Sequence, residues 1–279
     1  MAVFSAKKEE KKMSAEQEQQ FTYYWYAARQ AIEEERFPEA YALLQFCDAI
    51  KPNDAQTLYY IGVMYQVLGK QQEYIATLEQ AYRVSGDKKS EDLLDHLLRI
   101  YISKAEWKQA LRMQDELDRV RRYDAYSAMT RYRIYAMAGE PKKAIKAIDK
   151  YLKTDPTNLR FLLFRVELTE QTGARTKELY ALYKRVLELD PYNLYVLNNY
   201  AYHLATHGGN LKEAERMSAI TIREDPGNPV YMDTYGWIMH LQGQDELALF
   251  YFNRALWNTR DEKVKNEIEK HIRLLKSEK

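Results

Sequence analysis

Three arginines have the spacing in this sequence that most clearly favours a chemical function. Arg29, Arg99 and Arg133 occupy equivalent positions in segments that recur along the chain. A guanidinium can bind a carboxylate through two parallel hydrogen bonds, so this set is suited to grip the acidic or C-terminal groups of a peptide. Each arginine could instead pair with a neighbouring acidic residue such as Asp95, because repeat surfaces readily carry ion pairs. The sequence leaves both interpretations open.

A second group of polar and aromatic residues recurs in the C-terminal half of the chain. Its members are Asn198, Asn199, Tyr202, Asp233 and Trp237. Amides and aromatic rings suit contact with an extended peptide backbone or a helix, which predicts a second binding surface. The alternative is that the two large rings only seal the core between neighbouring segments.

Other kinds of chemistry have weaker support. His203 and His207 have the i, i+4 spacing of a metal pair, but Leu204 replaces the glutamate of H-E-x-x-H and no third ligand is evident. The single Cys47 excludes an intramolecular disulfide and is expected to be a buried, inert thiol. No phosphate-binding loop or nucleophile motif is present, so we expect no enzyme, no metal and no cofactor.

Charge and hydropathy narrow the range of partners. The 279 residues carry 42 Lys and Arg against 41 Asp and Glu, a net charge of +1, which predicts no general attraction to nucleic acid. No apolar run is long enough for a membrane-spanning helix. The N-terminal residues lack the apolar core of a signal peptide. The expected location is therefore cytoplasmic, or the periplasm and cell envelope if a leader has been removed.

The elements that would position these residues follow a fixed period. The residue that opens the second helix of each segment, small in most segments, recurs every 34 to 36 residues, at Ala40, Tyr74, Ala110, Ala144, Leu179, Ala214 and Ala248. Glycine marks most turns inside a segment, and Asp-Pro-x-Asn separates several segments, as at 155–158, 190–193 and 225–228. A fixed period with such punctuation predicts tandem helix-turn-helix repeats.

Small residues at one position of each first helix explain how the two helices of a repeat approach closely. Ala28, Gly62, Ala201 and Gly236 fit this requirement, whereas Leu98 and Val166 replace the small residue in two other repeats. We expect the packing angles of those two repeats to differ from the rest.

The pattern resembles the tetratricopeptide repeat (TPR) family. Signature positions are occupied by Leu58, Ile61, Gly62, Tyr65, Leu78 and Ala81 in the second repeat and by Tyr235, Gly236, Ala248, Phe252 and Ala255 in the seventh. Similar C-terminal segments occur in bacterial multi-repeat TPR proteins, several of them exported. The resemblance implies an all-α fold, a right-handed α-solenoid of seven repeats with a C-terminal capping helix.

The resemblance also implies a division of the chain. Residues 1–20 are expected to be a charged lead-in, disordered or a frayed helix, and residues 261–279 a capping helix whose apolar face is Val264, Ile268, Ile272 and Leu275, with Asp261 as N-cap. That helix is expected to close the stack. The solenoid, 21–260, divides into repeats at about 21–54, 55–90, 91–124, 125–158, 159–193, 194–228 and 229–260.

In TPR proteins, ligand contacts come from inward positions of the first helices. The resemblance therefore implies partner contacts at Trp25, Arg29, Tyr59, Asp95, Arg99, Arg133, Glu167, Asn198, Asn199, Tyr202, Asp233 and Trp237. The function predicted is a non-enzymatic scaffold or adaptor that binds a protein or peptide in a concave groove. The alternative is a structural component that self-assembles through the solenoid ends or the convex face.

Overall fold

The structure of the protein is a computed structural model that describes residues 13–87, 89–173 and 176–277. Within these ranges the chain forms fifteen α-helices and no strand. The chain divides into two compact units, one ending at Glu140 and the other beginning at Pro141. The all-α prediction is confirmed, and each unit is a stack of helices in which neighbours along the chain pack together.

The first unit contains seven of these helices. They are α1 Ala15–Glu33, α2 Phe37–Ile50, α3 Ala55–Val67, α4 Gln71–Val84, α5 Glu91–Ser103, α6 Trp107–Val120 and α7 Ala125–Met137. Helices that follow one another pack together, and two apolar clusters form the core. One cluster joins α1, α2 and α3 around Leu44 and Met64, and the other joins α3 to α7 around Leu94 and Leu117.

The first helix begins earlier than the period indicated. Ser14 accepts a hydrogen bond from the Gln17 backbone, and the Gln17 side chain accepts one from the Ser14 backbone, which makes a capping box. Residues 15–20 of the expected lead-in are therefore part of a regular, capped helix. The rest of that prediction, for residues 1–12, lies outside the described residues.

The second unit contains the remaining helices. They are α8 Pro141–Leu152, α9 Leu159–Gln171, α10 Thr176–Leu189, α11 Leu194–Thr206, α12 Leu211–Glu224, α13 Pro229–Leu241, α14 Asp245–Asn258 and α15 Glu262–Ser277. Each packs on the next, and α13 also contacts α11 and α15. The bounds of these eight helices fall within the segments expected for them, while the division of the chain into seven repeats stays a prediction.

Asp-Pro-x-Asn joins successive helices through side chains rather than through proline alone. Asn193 accepts from the Val196 backbone at 3.1 Å and so caps α11, while its amide donates to Asp190 at 2.9 Å. The same arrangement occurs at 155–158 before α9 and at 225–228 before α13. The motif therefore ends one helix and begins the next with its polar groups satisfied.

Two glycines permit the closest helix crossings. A Cβ on Gly62 would lie 2.8 Å from Leu78 Cδ2, and a Cβ on Gly236 would lie 2.9 Å from Phe252 Cε1. Leu98 and Val166 are buried at the position that Ala28, Gly62, Ala201 and Gly236 occupy in four other repeats. Larger side chains at these two crossings are thus accommodated inside the core.

The last helix uses a different apolar face from the one expected. Asp261 accepts from the Lys263 backbone at 2.8 Å, so the predicted N-cap is formed. Ile268 and Leu275 are buried, but the third buried residue is His271, whereas Ile272 is only half-buried. The expected face was wrong at this position, because the histidine finds a carboxylate in the core of the second unit.

Candidate functional site

The arginine set lies in the first unit, and two of its members are free of ion pairs. Arg99 on α5 and Arg133 on α7 are exposed, and neither forms an ion pair with any residue in the described part of the chain. Arg29 is half-buried, with its guanidinium 5.1 Å from the centre of the Tyr60 ring. This contact between Arg29 and Tyr60 is a cation–π interaction between α1 and α3.

Asp95 is not the partner of Arg99. Its Oδ1 lies 3.2 Å from Arg121, which also bonds Glu91 at 2.8 Å. Burial lowers the pKa of Arg121, but these carboxylates outweigh it and the net shift is upward. The acidic neighbour that the sequence offered to Arg99 is therefore used by another arginine.

The aromatic members of the first-unit set take part in packing. Trp25 meets Tyr60 edge-on, with 5.3 Å between ring centroids. The Tyr59 hydroxyl lies 3.5 Å from His96 Nε2, and Tyr74 contacts the other ring nitrogen at 2.8 Å. Burial raises the pKa of Tyr59 to about 12 and lowers that of His96. These rings hold α1, α3, α4 and α5 together and leave the exposed arginines as the accessible groups.

The second unit contains a cavity of about 580 Å³. It is lined by Glu170, Asn198, Asn199, Tyr202, His203, Val230, Asp233, Thr234, Lys263, Val264, Glu267, Lys270 and His271. Helices α9, α11 and α13 supply one side, and α15 supplies the other. The structure thus brings together four of the residues predicted from sequence and adds a wall from the last helix.

A chain of hydrogen bonds orders one wall of this cavity. Glu170 accepts from Asn199 Nδ2 at 3.0 Å and from the Tyr195 hydroxyl at 2.7 Å, and it also accepts from Tyr183. Asn199 in turn accepts from Asn198 Nδ2 at 3.2 Å. Because a carboxylate can only accept, it fixes the orientation of both amides. Asn198 Oδ1 is left buried with no hydrogen-bond partner among the described residues.

The opposite wall rests on a buried histidine. His271 Nδ1 lies 2.9 Å from Asp233 Oδ1, and the His271 ring stacks on Trp237 with 4.5 Å between centroids. Burial raises the pKa of Asp233 more than the histidine lowers it. Asp233 and Trp237, both predicted partner contacts, therefore hold α15 in place.

Glu167 lies apart from this cavity. It is exposed on α9, accepts from Gln171 at 3.2 Å and lines a shallower cavity of about 330 Å³ with Leu163, Phe164, Asn193 and Tyr195.

The weaker candidates behave as ordinary structural residues. His203 and His207 stack with 5.2 Å between ring centroids, and no group of three metal-ligating side chains occurs among the described residues. Cys47 is buried, and burial raises the pKa of its thiol to about 11. A thiol that keeps its proton is a poor nucleophile.

Sequence reasoning missed the two residues that organise the second unit, Glu170 and His271. Glu170 follows Glu167 by three positions and was not separated from the solvated charges of α9. His271 falls on the apolar face of α15 at the i+7 position from Val264, a signal that could have identified it. A polar residue on such a face points to a buried partner.

Comparisons with known proteins identify the type of repeat. A TPR repeat-containing protein of Pseudomonas aeruginosa is 30% identical over 152 residues, which are 53% of this chain and 26% of that protein. A crystal structure of MamA superposes with a TM-score of 0.51 at 15% identity over 60% of this chain and 91% of that one. The chain has the TPR fold.

A TPR protein of Parabacteroides merdae is also similar, with a TM-score of 0.46, 17% identity and coverage of 91% of this chain and 99% of that one. No protein-family model matches the chain. The similarity to the Pseudomonas aeruginosa protein and to MamA confirms the TPR resemblance at the level of fold. Among the described residues, no helix is long and apolar enough to cross a membrane.

Proposed function

We propose that this TPR chain is a non-enzymatic scaffold that binds a protein or peptide through carboxylate groups of that partner. The observation that carries the proposal is the state of Arg99 and Arg133. Both are exposed at equivalent positions of α5 and α7, and both lack an ion pair within the described residues. Guanidinium groups held on helices without an ion-pair partner are suited to donate hydrogen bonds to carboxylates of another molecule.

The neighbouring arginines support this assignment by contrast. Arg121 bonds Glu91 and Asp95, and Arg131 bonds Asp115 and Asp118 at 2.7 and 2.6 Å. Carboxylates are thus abundant in the first unit and already neutralise the arginines that stabilise it. Arg99 and Arg133 are outside these ion pairs, which is the state expected of groups kept for a partner.

The second unit offers a partner fewer accessible groups than the sequence predicted. Asp233 and Trp237 are bound to His271, so the groups available to a partner there are Tyr202 and the amides of the cavity wall. We therefore assign the carboxylate-binding role to the first unit.

Binding of an acidic probe tests the proposal. A fluorescent peptide of alternating Glu and Gly with a free C-terminal carboxylate should bind the full chain, and the Arg99→Ala, Arg133→Ala double variant should lose at least about tenfold in affinity, as expected for charge-assisted hydrogen bonds. The matched control is Arg119→Ala with Arg122→Ala, two exposed arginines of the same unit. Equal losses in the two double variants would show only a general charge effect and overturn the proposal.

Self-association is a second candidate, and exposed aromatics on α14 favour it. Trp257 is 90% exposed and Phe250 is 54% exposed, which is unusual for large apolar side chains. If they form a contact between copies, the weight-average mass should rise with concentration, and Trp257→Ser should reduce that rise. A constant monomer mass across the range would remove this candidate.

A further inference from the structure

We propose that the cavity of the second unit is a pocket for a cationic side chain of the partner, a lysine ammonium or an arginine guanidinium, with Glu170 as its counter-charge. The inference rests on the proposed scaffold function in so far as it assigns the cation to a protein. It gives the partner a basic group as well as the acidic groups that the arginines of the first unit would bind.

The Glu170 carboxylate has no cationic partner among the residues that the structure describes. All its hydrogen bonds come from neutral donors, the hydroxyls of Tyr183 and Tyr195 and the amide of Asn199. In the described part of the chain it forms no ion pair with a lysine or an arginine. By contrast, two other carboxylates of this unit have a cationic partner, since Arg165 bonds both Asp149 and Glu178. A charged donor gives Glu170 a stronger interaction than another neutral one.

The side chain of Asn198 independently indicates that the cavity lacks a hydrogen-bond donor. Its side chain is only 3% exposed and lines the cavity, and Oδ1 has no hydrogen-bond partner. Reversing the amide would not relieve this, because Asn199 presents its oxygen to Asn198 and Glu170 holds Asn199 in that orientation. A buried acceptor without a donor is unfavourable by about 1–3 kcal/mol, so an N–H group entering beside it is favoured.

Tyr202 selects for a cation over a neutral amide. Its ring lines the cavity, and its hydroxyl makes no hydrogen bond with any described residue. An aromatic face attracts ammonium and guanidinium groups and packs against the methylenes that carry them. Carboxylate, amide oxygen and aromatic ring together match a long cationic side chain.

The cavity's own cations do not occupy this place. Lys263 and Lys270 are exposed on α15, and Lys270 Nζ lies 3.6 Å from Glu267. His271 is bonded to Asp233. His203 also lines the cavity, but burial lowers its pKa and so favours its neutral form. None of the cations described at this cavity therefore balances the charge of Glu170.

The volume is consistent with such an occupant. Ligand pockets commonly measure about 300–1,000 Å³, and this cavity of 580 Å³ has room for one long side chain and part of its backbone.

The test uses the isotopically labelled full chain and four capped pentapeptides that differ only in a central Lys, Arg, norleucine or Glu between glycines. Saturable shifts of the Asn198 and Asn199 side-chain amide signals are expected with the Lys or Arg peptide and not with the other two. Glu170→Gln should weaken that binding at least about tenfold. Glu188→Gln removes an exposed carboxylate of α10 outside the cavity and should leave the affinity within about twofold.

A second variant keeps the test decisive if Glu170→Gln fails to fold. Tyr202→Leu preserves apolar volume and should weaken binding of the cationic peptide about two- to fivefold. The proposal is overturned if the Glu peptide shifts the amide signals as strongly as the Lys peptide, if no cationic peptide binds saturably, or if Glu170→Gln binds unchanged. Those results leave acidic-peptide binding by Arg99 and Arg133 intact, so the two proposals can fail separately.

Discussion

The first helices of the two units present the same repeat positions with opposite outcomes. In the first unit, Arg99 and Arg133 are exposed and have no ion-pair partner in the described chain. In the second, Asp233 and Trp237 are bound by His271, and Asn199 is bound by Glu170. A position predicted to face inward is therefore not by itself a binding position. Its role depends on what the neighbouring helix supplies.

Among the tests of this comparison, the largest change in stability is expected at the buried face of α15. Ile268 is fully buried, so Ile268→Ala should lower the free energy of unfolding of the second unit by about 2–4 kcal/mol through lost burial and a cavity. Urea unfolding followed by circular dichroism measures the change. Ile272→Ala, at a half-buried position of the same helix, is the control and should cost clearly less. Equal losses would mean that α15 is not held by the face described above.

The buried histidine provides the next test. Asp233→Ala should destabilise the second unit by about 1–3 kcal/mol, because His271 would stay buried without its partner. Asp233→Asn retains an acceptor oxygen and should lose less. If alanine and asparagine are equally tolerated, Asp233 is not needed for α15, and its predicted role as a partner contact regains support.

Cys47 gives a pH-dependent probe of the first unit. Burial raises the pKa of its thiol from 9.0 in the unfolded chain to about 11 in the folded one. The unfolded state therefore releases its proton first, and the stability that this residue contributes is full below pH 9.0 and lost as pH rises toward about 11. The wild type should lose about 1–2 kcal/mol more than Cys47→Ala across that range, measured by denaturant unfolding. Parallel pH curves would contradict the burial of the thiol.

Ala105 occupies a left-handed turn position that glycine fills in most other repeats, so its replacement by glycine is predicted to raise stability. Ala105 ends α5 with a φ of 56°, whereas the second unit has Gly243 at the corresponding turn after α13, with a φ of 78°. Ala105→Gly should stabilise the first unit by about 0.5–1 kcal/mol by relieving the left-handed backbone, and Gly243→Ala should destabilise the second by a similar amount. Thermal unfolding measures both changes. Destabilisation by Ala105→Gly would show that chain entropy outweighs the relief of strain.

The smallest change in stability is expected at the two arginines that we propose bind a partner. Arg99→Ala and Arg133→Ala should each change stability by less than about 0.5 kcal/mol, because neither side chain forms an ion pair within the described chain. Chemical unfolding with Arg131→Ala as the contrasting variant measures this, since Arg131 is bonded to Asp115 and Asp118. A loss at Arg99 or Arg133 that equals the loss at Arg131 would remove the distinction between the free and the ion-paired arginines of the first unit.

Much of the fold was predictable because it depends on local rules. The period of 34 to 36 residues placed all seven residues from Ala40 to Ala248 near the start of a second helix, where the structure has them, and the structure adds that each is buried. Gly62 and Gly236 were recognised as sites of close crossing, and Asp-Pro-x-Asn as a helix boundary. Helix period, capping and steric size are properties of neighbouring residues, so one sequence reveals them.

The candidate sites were predictable only as lists of positions. Asp95 was offered as a neighbour of Arg99, four residues away on one helix, yet it pairs with Arg121, which lies 26 residues away. His271 replaced Ile272 on the buried face of α15 because Asp233, 38 residues earlier, lies opposite it. When a basic side chain has several acidic neighbours in the sequence, no local rule selects the one with which it pairs.

The sequence by itself thus determined the repeated helix pairs, their turns and their tight crossings, since these follow from periodicity and from the shapes of single residues. Only the tertiary structure decided which inward residues are free. Whether a guanidinium, an amide or an indole is available depends on charges and rings that distant helices bring to within a few ångströms. Arg99 remained accessible because its nearest carboxylate was used by Arg121, and Trp237 became a packing residue because α15 brought His271 against it.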